Sequence, residues 1–430
     1  MTSSASEPGS TTAGTVSLVA RTVPLDGTPG DLVDLLPADA PLAWVRAGDG
    51  IVGWGVAAEV TTSGADRFAD AEAWWAALTS RAVVRDEVGL PGTGLVAFGS
   101  FAFADTPGSS TLVVPRVVVG QRGGRRWLTT IGHDTIGSPA LRLAEPPAAP
   151  TGLRFTGGGL SDDAWQAAVA NAVTRIDAGE LEKVVLARDV VAETDEPVDV
   201  RWPLRRLAAA YSSCWTFHVD GLFGATPEML VRRERGLVTS RVLAGTIRRT
   251  GDDARDAGLA GELARSSKDL EEHEYAVRSV ADALEPHCSS MNVPESPFVL
   301  HLPNVMHLAT DVNGVVPDDA PTTSLGLAAA LHPSAAVGGT PTPAATALIA
   351  ELEGMERERY AGPVGWMDAT GDGEWGIALR SAQVVAPDPA TGRGRVRLFA
   401  GCGIVAGSDP ADELAESQAK LEPVRHALDA

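Results

Sequence analysis

A stripe of charged side chains follows one face of the helix predicted near the C-terminus, at Glu413, Glu416 and Lys420. At 100° per residue these positions fall within an arc of about 60° and border a line of leucines. Carboxylates at the margin of a buried face suit Mg²⁺, which prefers oxygen ligands and keeps some of its waters. The same spacing is typical of an exposed Glu416–Lys420 ion pair, so both interpretations stay open.

Lysine is rare in this chain. Of 35 basic residues, three are lysines, at positions 183, 268 and 420, and the others are arginines. A desolvated lysine can release its proton, whereas arginine cannot. Lys183 begins a predicted strand whose centre, residues 184–187, is apolar on both faces, so it is a candidate general base. The alternative is a lysine that extends from the mouth of the strand into solvent.

Glu228 is a candidate general acid, because it lies between Pro227 and the apolar residues 229–231. Loss of hydration in such a place raises the pKa of a carboxyl, although a solvated turn residue is the alternative. The acidic run 268–274 contains Glu272. Acids at the start of a helix also compensate its dipole, and the periodicity of the apolar residues puts Glu272 on the solvated side.

Other residues are candidates for holding an anion. Gly401 and Gly403 flank Cys402 and would let backbone N–H groups approach an anion closely; a tight turn is the alternative. Tyr360 is one of three tyrosines, and Arg380 lies in an apolar stretch. A guanidinium group presents a planar fork to a carboxylate, which makes Arg380 a candidate ligand for an acidic substrate.

The apolar pattern predicts four helices: one around residues 74–78, one from Ser161 to Gly179, one from Ser267 and one that opens at Asp409-Pro410. It predicts a hairpin at 41–60 and strands at 94–104, 111–120, 127–131, 182–191, 222–233, 237–246, 375–385 and 395–405. Residues 134–158 are predicted to be a connector. Helices and hairpins alternate without a regular βαβ rhythm, which favours an α+β fold with large antiparallel or mixed sheets.

The composition excludes several classes of protein. The chain has 430 residues, 44% of them hydrophobic, and a net charge of −21, so it can bury a large core and would be repelled by nucleic acids. We expect neither a signal peptide nor a membrane span, and three separated cysteines fit neither a disulfide framework nor a zinc site. Residues 1–14 are predicted to be disordered. We expect a soluble, cytoplasmic monomer.

Eight segments resemble, in order, motifs of the chorismate-binding enzyme family, which includes isochorismate synthases, salicylate synthases and the large subunits of anthranilate and aminodeoxychorismate synthases. They are 181–188 (LEKVVLAR), 224–230 (GATPEML), 243–246 (LAGT), 267–273 (SKDLEEH), 307–310 (HLAT), 332–341 (HPSAAVGGTP), 360–366 (YAGPVGW) and 399–420 (FAGCGIVAGSDPADELAESQAK). The resemblance implies one large α+β unit with two big, mainly antiparallel sheets packed face to face and helices outside. Residues 15–150 would form its variable half and residues 151–430 its chorismate-binding half.

The resemblance also implies roles for individual residues. Lys183 resembles the base that activates water, and Glu228 resembles the acid that protonates the departing hydroxyl. Glu272 and Glu416 resemble direct Mg²⁺ ligands, and Glu413 resembles a ligand that acts through water. The residues that resemble binders of the substrate carboxylates are Tyr360, Arg380, Gly401, Gly403 and Lys420. Those that resemble lining and positioning residues are Gly245, Thr246 and His307.

The resemblance implies an isochorismate synthase, in which water attacks C2 of chorismate as the C4 hydroxyl leaves. Ammonia-using relatives typically carry glutamine in place of Lys183 and need a glutaminase subunit, which we do not expect here. Salicylate synthases, which also eliminate pyruvate, share the lysine, but residues 332–341 look more like the group that only forms isochorismate. A non-catalytic chorismate-binding paralogue would lack one of the catalytic groups.

The resemblance leaves two points open. The product could enter menaquinone or siderophore biosynthesis. Cys402 occupies a position where alanine is common in the family, and we predict a thiol beside the substrate carboxylate.

Overall fold

A computed structural model describes residues 17–27, 30–133, 137, 141–301, 305–317, 319 and 321–429. The side chains of Thr246, Lys268 and Glu272 lie outside the described parts. The segment 1–14, predicted to be disordered, lies outside the described residues as well.

The described ranges contain eight α-helices: α1 (Arg67–Thr79), α2 (Asp162–Asp177), α3 (Arg201–Ala210), α4 (Asp253–Leu263), α5 (Ser267–Leu284), α6 (Ser324–Ala330), α7 (Thr342–Leu352) and α8 (Pro410–Leu428). Two 3₁₀ helices span Leu32–Leu35 and Glu285–His287. The four predicted helices are confirmed as α1, α2, α5 and α8. The other four, of 7 to 11 residues, were not predicted, because they are too short for a sustained apolar periodicity.

Local chemistry defines the ends of the confirmed helices. The Ser161 hydroxyl accepts a hydrogen bond from the Ala164 N–H at 3.2 Å, which caps α2, and Gly179 follows α2 with a φ of +79°. The Asp409 carboxylate caps α8. That helix continues through Pro423 to Leu428.

The same ranges contain 23 strands: β1 (Val19–Leu25), β2 (Leu42–Arg46), β3 (Asp49–Trp54), β4 (Ala58–Thr62), β5 (Val83–Asp86), β6 (Val96–Ser100), β7 (Ser110–Val114), β8 (Val117–Arg122), β9 (Arg125–Gly132), β10 (Arg154–Gly157), β11 (Lys183–Thr194), β12 (Trp215–Val219), β13 (Leu222–Thr226), β14 (Met229–Glu234), β15 (Leu237–Arg248), β16 (Ser290–Asn292), β17 (Phe298–His301), β18 (Val305–Val315), β19 (Gly339–Thr340), β20 (Pro363–Asp368), β21 (Gly373–Ile377), β22 (Ser381–Val385) and β23 (Gly394–Ile404).

These strands form two sheets. The first has the order β10-β11-β23-β22-β13-β12-β2-β3-β8-β9-β1-β5, with β19 also paired to β11. The second has the order β16-β18-β15-β14-β21-β20-β6-β7-β4, with β17 also paired to β18. Among the described pairings, β1 with β5 is the one parallel pair. The predicted α+β class with large, mainly antiparallel sheets is confirmed.

Three predicted strands are wrong in the same way, because each one is two strands in different sheets. Residues 111–120 divide at Pro115 into β7 and β8, residues 222–233 divide at Pro227 into β13 and β14, and residues 375–385 divide at 378–380 into β21 and β22. Proline cannot donate to a strand ladder, which ends the pairing at the first two breaks. At the third break, Arg380 has a φ of +50°, which turns the chain out of the strand.

The predicted connector 134–158 is partly wrong, because Arg154–Gly157 forms β10 and pairs with β11. Residues 134–136 and 138–140 lie outside the described residues. The β10 sequence is too short and too polar to be recognised without its partner strand.

The main core lies between the faces of the two sheets and contains large buried side chains from both, among them Trp44, Phe217, Phe98 and Trp375. A second buried cluster lies on the outer face of the first sheet, where α3 and α8 pack. Two sheets packed face to face with helices outside are therefore the observed architecture. In the part of the chain that is described, each helix is too short or too polar to span a bilayer.

Candidate active site

Glu228 lies where the chain passes from β13 in the first sheet to β14 in the second. Its backbone N–H donates to the Thr226 hydroxyl at 3.2 Å, and its carbonyl accepts from the Ile377 N–H at 3.1 Å. Burial raises the pKa of Glu228 to about 7, while the positive charges of Lys183 and Lys420 oppose the rise. The sequence left this direction open beside the alternative of a solvated turn residue. A carboxyl with such a pKa can carry a proton at neutral pH.

Lys183 is the first residue of β11 and is half-buried. A Cβ atom added at Gly403, on the neighbouring strand β23, would lie 3.1 Å from Cε and 3.6 Å from Nζ of Lys183. The glycine therefore leaves the space through which the lysine side chain runs. Because Glu228 and Lys183 influence each other electrostatically, a potential acid and a potential base share one site.

Arg380 lies between β21 and β22. Burial lowers its pKa, and the nearby Tyr360 and Glu416 oppose this. Within the described ranges, no carboxylate forms an ion pair with its guanidinium. A desolvated guanidinium without a protein carboxylate partner is suited to bind an anionic ligand.

Tyr360 is buried, and its ring stacks on Phe399 with the ring centroids 5.0 Å apart. Burial raises the pKa of its phenol well above the usual value. The hydroxyl therefore stays protonated at neutral pH and can act as a hydrogen-bond donor.

Lys420 joins α8 to β23. Its ammonium donates to the Gly401 carbonyl at 2.9 Å and pairs with Glu416 Oε1 at 2.7 Å. The i,i+4 pair considered from the sequence is thus present. The same lysine also reaches the strand that carries both candidate glycines, so the pair is part of the site.

Glu413 and Glu416 lie together on the first turns of α8, half-buried. Burial and the neighbouring Glu416 raise the pKa of Glu413, although the Ser408 hydroxyl opposes this by donating to its Oε1 at 2.9 Å. Burial would also raise the pKa of Glu416, but Lys420 lowers it overall. A ligand atom from each glutamate and the Cys402 sulfur lie within 4.8 Å of one another. Two adjacent, half-exposed carboxylates have the donor chemistry that suits a hard cation.

Cys402 is fully buried, and its thiol donates to the Glu413 backbone carbonyl at 3.3 Å. Because side chains alternate along β23, its sulfur lies on the opposite face from Gly401 and Gly403. The thiol therefore lies beside the two carboxylates of α8, and the predicted contact with a substrate carboxylate stays a prediction.

His307 lies in β18 opposite Thr246 of β15, next to an irregularity of the ladder at Gly245, which has a φ of +71°. The His307 ring hydrogen-bonds the Gly245 backbone. Burial and the nearby Arg380 lower the pKa of His307 to about 4. The imidazole is therefore neutral at physiological pH, which suits a hydrogen-bonding role. The side chain of Thr246 lies outside the described parts.

Glu272 belongs to α5, whose first turn packs against Gly245: an added Cβ there would lie 3.1 Å from the Asp269 Cβ. The side chain of Glu272 is outside the described parts, so its predicted metal-ligand role stays a prediction. The helix that carries it adjoins the strand that holds His307.

The structure thus brings together Lys183, Glu228, His307, Arg380, Glu416 and Lys420, which influence one another electrostatically. The sequence did not point to Glu353 and Arg357, which hydrogen-bond the backbone of β11 next to Lys183. A glutamate and an arginine at i,i+4 spacing, directly after the apolar α7, were the available signal.

Comparison with known proteins gives consistent findings. Residues 44–139 and 142–429 match the model of the chorismate binding enzyme family. Over 417 residues, 90% of this chain and 85% of the relative, the chain is 36% identical to the salicylate biosynthesis isochorismate synthase of Pseudomonas aeruginosa. Over 271 residues, 60% of this chain and 66% of the relative, it is 39% identical to an isochorismate synthase of Bacillus subtilis.

A solved structure has the same fold. The menaquinone-specific isochorismate synthase of Escherichia coli superimposes with a TM-score of 0.78, over 96% of this chain and 95% of that one, at 24% identity. At this level of identity the likeness concerns the fold alone.

Proposed function

The chain belongs to the chorismate-binding enzyme family, and we propose that it is an isochorismate synthase that adds water at C2 of chorismate and releases the C4 hydroxyl. The observation that carries the proposal is the pairing of Glu228, with a pKa raised to about 7, and Lys183 in one site. Adding water and expelling a hydroxyl needs one base and one acid. A lysine and a partly protonated glutamate are such a pair.

Each member of the pair has a proposed task. Lys183 removes a proton from the attacking water, and the new C2–O bond forms as both conjugated ring double bonds shift towards C4 and break the C4–O bond. Glu228 gives a proton to the C4 oxygen, which leaves as water. The nearby Lys183 charge opposes the rise in the pKa of Glu228.

Other residues of the site are proposed to bind the two carboxylates of the substrate. Arg380 has no protein carboxylate partner among the described residues, and it can take a substrate carboxylate in a bidentate way. Tyr360, Lys420 and the backbone at Gly401 and Gly403 complete the proposed carboxylate contacts. Gly245, Thr246 and His307 are proposed to line the site, with His307 as a neutral hydrogen-bond partner.

Glu413, Glu416 and Glu272 are proposed to hold Mg²⁺. The fit rests on the adjacency of the two α8 carboxylates and on their all-oxygen chemistry. When bound, the ion offsets the negative charge of these acids and of the substrate ring carboxylate. We also propose that the protein acts in the cytoplasm as a monomer without a glutaminase subunit.

The test is to incubate purified protein with chorismate and Mg²⁺ and to identify the products by chromatography, with EDTA and Lys183→Ala as controls. Isochorismate that accumulates, and that both controls abolish, is the expected result. Salicylate together with pyruvate would mean that the site also eliminates pyruvate. Turnover that requires ammonia would assign the protein to the aminating group and reject the role of Lys183.

A further inference from the structure

Strand β11, which begins with Lys183, has a neighbouring strand on both sides over only part of its length. β23 pairs with it continuously from residue 184 to residue 194. On the other side, β19 covers residues 183–184 and β10 covers residues 190–193. Within the described residues, the buried backbone between 185 and 189 thus has no strand beside it on that edge.

Side chains fill this gap in the sheet. The Glu353 carboxyl accepts a hydrogen bond from the Ala187 N–H at 2.7 Å, and Arg357 Nη2 donates to the Val185 carbonyl at 2.7 Å. The other two edge-facing groups of residues 185 and 187 are bonded by the Gly338 carbonyl at 2.9 Å and the Trp165 indole at 3.1 Å. Glu353 and Arg357 therefore take the place of a strand.

The two side chains form a buried pair. They are 1% and 3% exposed, and Arg357 Nε donates to Glu353 Oε2 at 2.9 Å. Arg357 Nη1 also donates to the Val337 carbonyl at 2.8 Å. Desolvation offsets most of the attraction within a buried ion pair, so such a pair adds little net stability. Its location at the strand edge instead points to an orienting role.

The contact with Val337 links the pair to the start of β11. Val337 is two residues before β19, which pairs with Lys183 and Val184. The Thr340 carbonyl of β19 also accepts from the Glu182 N–H at 2.8 Å. Arg357 thus ties the backbone just after Lys183 to the segment that holds the backbone at Lys183.

We propose that Glu353 and Arg357 are positioning residues for Lys183, which fix the first residues of β11 and thereby the place of the lysine amine. The proposal rests on the function proposed above for Lys183. Both residues act through the strand backbone. A misplacement of about 1 Å in a reacting group can lower a rate by about 100-fold, so a small shift of this strand should affect turnover more than substrate binding.

The test removes the pair without leaving a buried unpaired charge, by the double substitution Glu353→Gln with Arg357→Met. The glutamine keeps an acceptor for the Ala187 N–H, and the methionine removes both carbonyl contacts of the guanidinium. The matched control is Arg233→Met with Asp372→Asn. That pair is also buried, at 9% and 8% exposure, and its contacts lie around β14 and the β20–β21 turn, in the second sheet.

The scarcity of lysine allows Lys183 to be observed directly. Reductive methylation with ¹³C-formaldehyde labels the three lysines, and lysine-to-arginine variants assign their NMR signals. We expect the double variant to shift or broaden the Lys183 signal and to leave the Lys268 signal unchanged. Its kcat should fall about tenfold to 100-fold, with KM within about threefold of the unsubstituted enzyme. Arg357→Lys, which keeps a donor, should retain part of the kcat.

The proposal is overturned if the folded double variant keeps the original Lys183 signal and kcat, or if the control variant changes both to the same extent. Should the double variant not fold, Arg357→Lys alone is compared with the unsubstituted protein by the same two measurements. The NMR signal does not depend on turnover. If the unsubstituted protein makes no isochorismate, the proposed function is rejected, and a Lys183 signal that the double substitution shifts still supports the positioning role.

Discussion

Glu228 lies between β13 and β14, and Arg380 lies between β21 and β22. These two neighbouring segments each carry the chain from one sheet to the other. The Arg380 carbonyl accepts a hydrogen bond from the Ala225 N–H at 3.2 Å, and the Glu228 carbonyl accepts one from the Ile377 N–H at 3.1 Å. β13 pairs with β22 on one side of these segments, and β14 pairs with β21 on the other. The backbone thus fixes a carboxyl of raised pKa relative to a guanidinium suited to an anion.

The alkaline limb of the pH–rate profile should depend on Glu228. Burial raises its pKa to about 7, and a general acid must be protonated, so kcat/KM should fall as the pH rises above about 7. Glu228→Gln should lower kcat by about 10²- to 10⁴-fold and remove this limb. Steady-state kinetics from pH 5 to pH 9 check the prediction. A variant that keeps most of its rate would contradict the assignment of the acid.

The same carboxyl should make the stability of the protein pH-dependent. Its pKa of about 7 in the folded protein exceeds the ordinary 4.5, so folding favours the protonated form. The stabilisation is complete below pH 4.5 and is lost as the pH rises through 7, by roughly 3 kcal/mol at most. We would measure urea unfolding without Mg²⁺ at pH 5 and at pH 8. Between these two pH values, the free energy of unfolding of Glu228→Gln should rise relative to that of the unsubstituted protein. Equal differences at both pH values would argue against the raised pKa.

Alanine at the two glycines of β23 should separate an effect on Lys183 from an effect on the fold. At Gly403 an added Cβ would lie 3.1 Å from the flexible Lys183 side chain, whereas at Gly401 it would lie 3.0 Å from the Leu186 carbonyl oxygen. We expect Gly403→Ala to keep its melting temperature and lose about tenfold in kcat. Gly401→Ala should cost about 1–3 kcal/mol in the free energy of unfolding. Full activity of Gly403→Ala would mean that residue 403 does not confine the lysine.

The sequence predicted those parts of the fold that depend on local signals. The ends of two helices were predicted to within a few residues. Ser161 caps the start of α2, Gly179 follows its end, and Asp409 caps the start of α8, so periodicity and caps were sufficient. The desolvation of Glu228 was one of two interpretations that the sequence left open, because a proline and an apolar strand flank it directly but a turn residue can also be solvated.

Long-range pairing could not be predicted. Pro227 interrupts the apolar residues 222–233, but only the partner strands β22 and β21 show that the chain changes sheets there. Glu353 and Arg357 look like an ordinary exposed i,i+4 helical pair. Their role at the edge of β11 depends on contacts with residues that are 166 and 172 positions away in the sequence.

Cys402 should resist alkylation in the folded protein. It is fully buried, and burial raises the pKa of its thiol to about 12, while the thiolate is the reactive form. Iodoacetamide at pH 8 should label the half-buried Cys288 first and leave activity intact, and urea should expose all three cysteines. Peptide mass spectrometry identifies the labelled sites. Rapid labelling of Cys402 that chorismate prevents would instead support the thiol beside the substrate predicted from the sequence.

Glu416→Gln should weaken Mg²⁺ binding, whereas Glu422→Gln on the same helix should not. An oxygen of Glu416 lies within 4.8 Å of one from Glu413. The control residue Glu422 instead pairs with an arginine, its Oε1 lying 3.6 Å from Arg425 Nη1, and its side chain is 45% exposed. Removal of one ligand charge should raise the Kd for Mg²⁺ at least about tenfold, because a hard cation depends on charged oxygen donors. Isothermal titration calorimetry without chorismate measures this independently of turnover. The same Kd for both variants and the unsubstituted protein would leave the ion pair with Lys420 as the only role of Glu416.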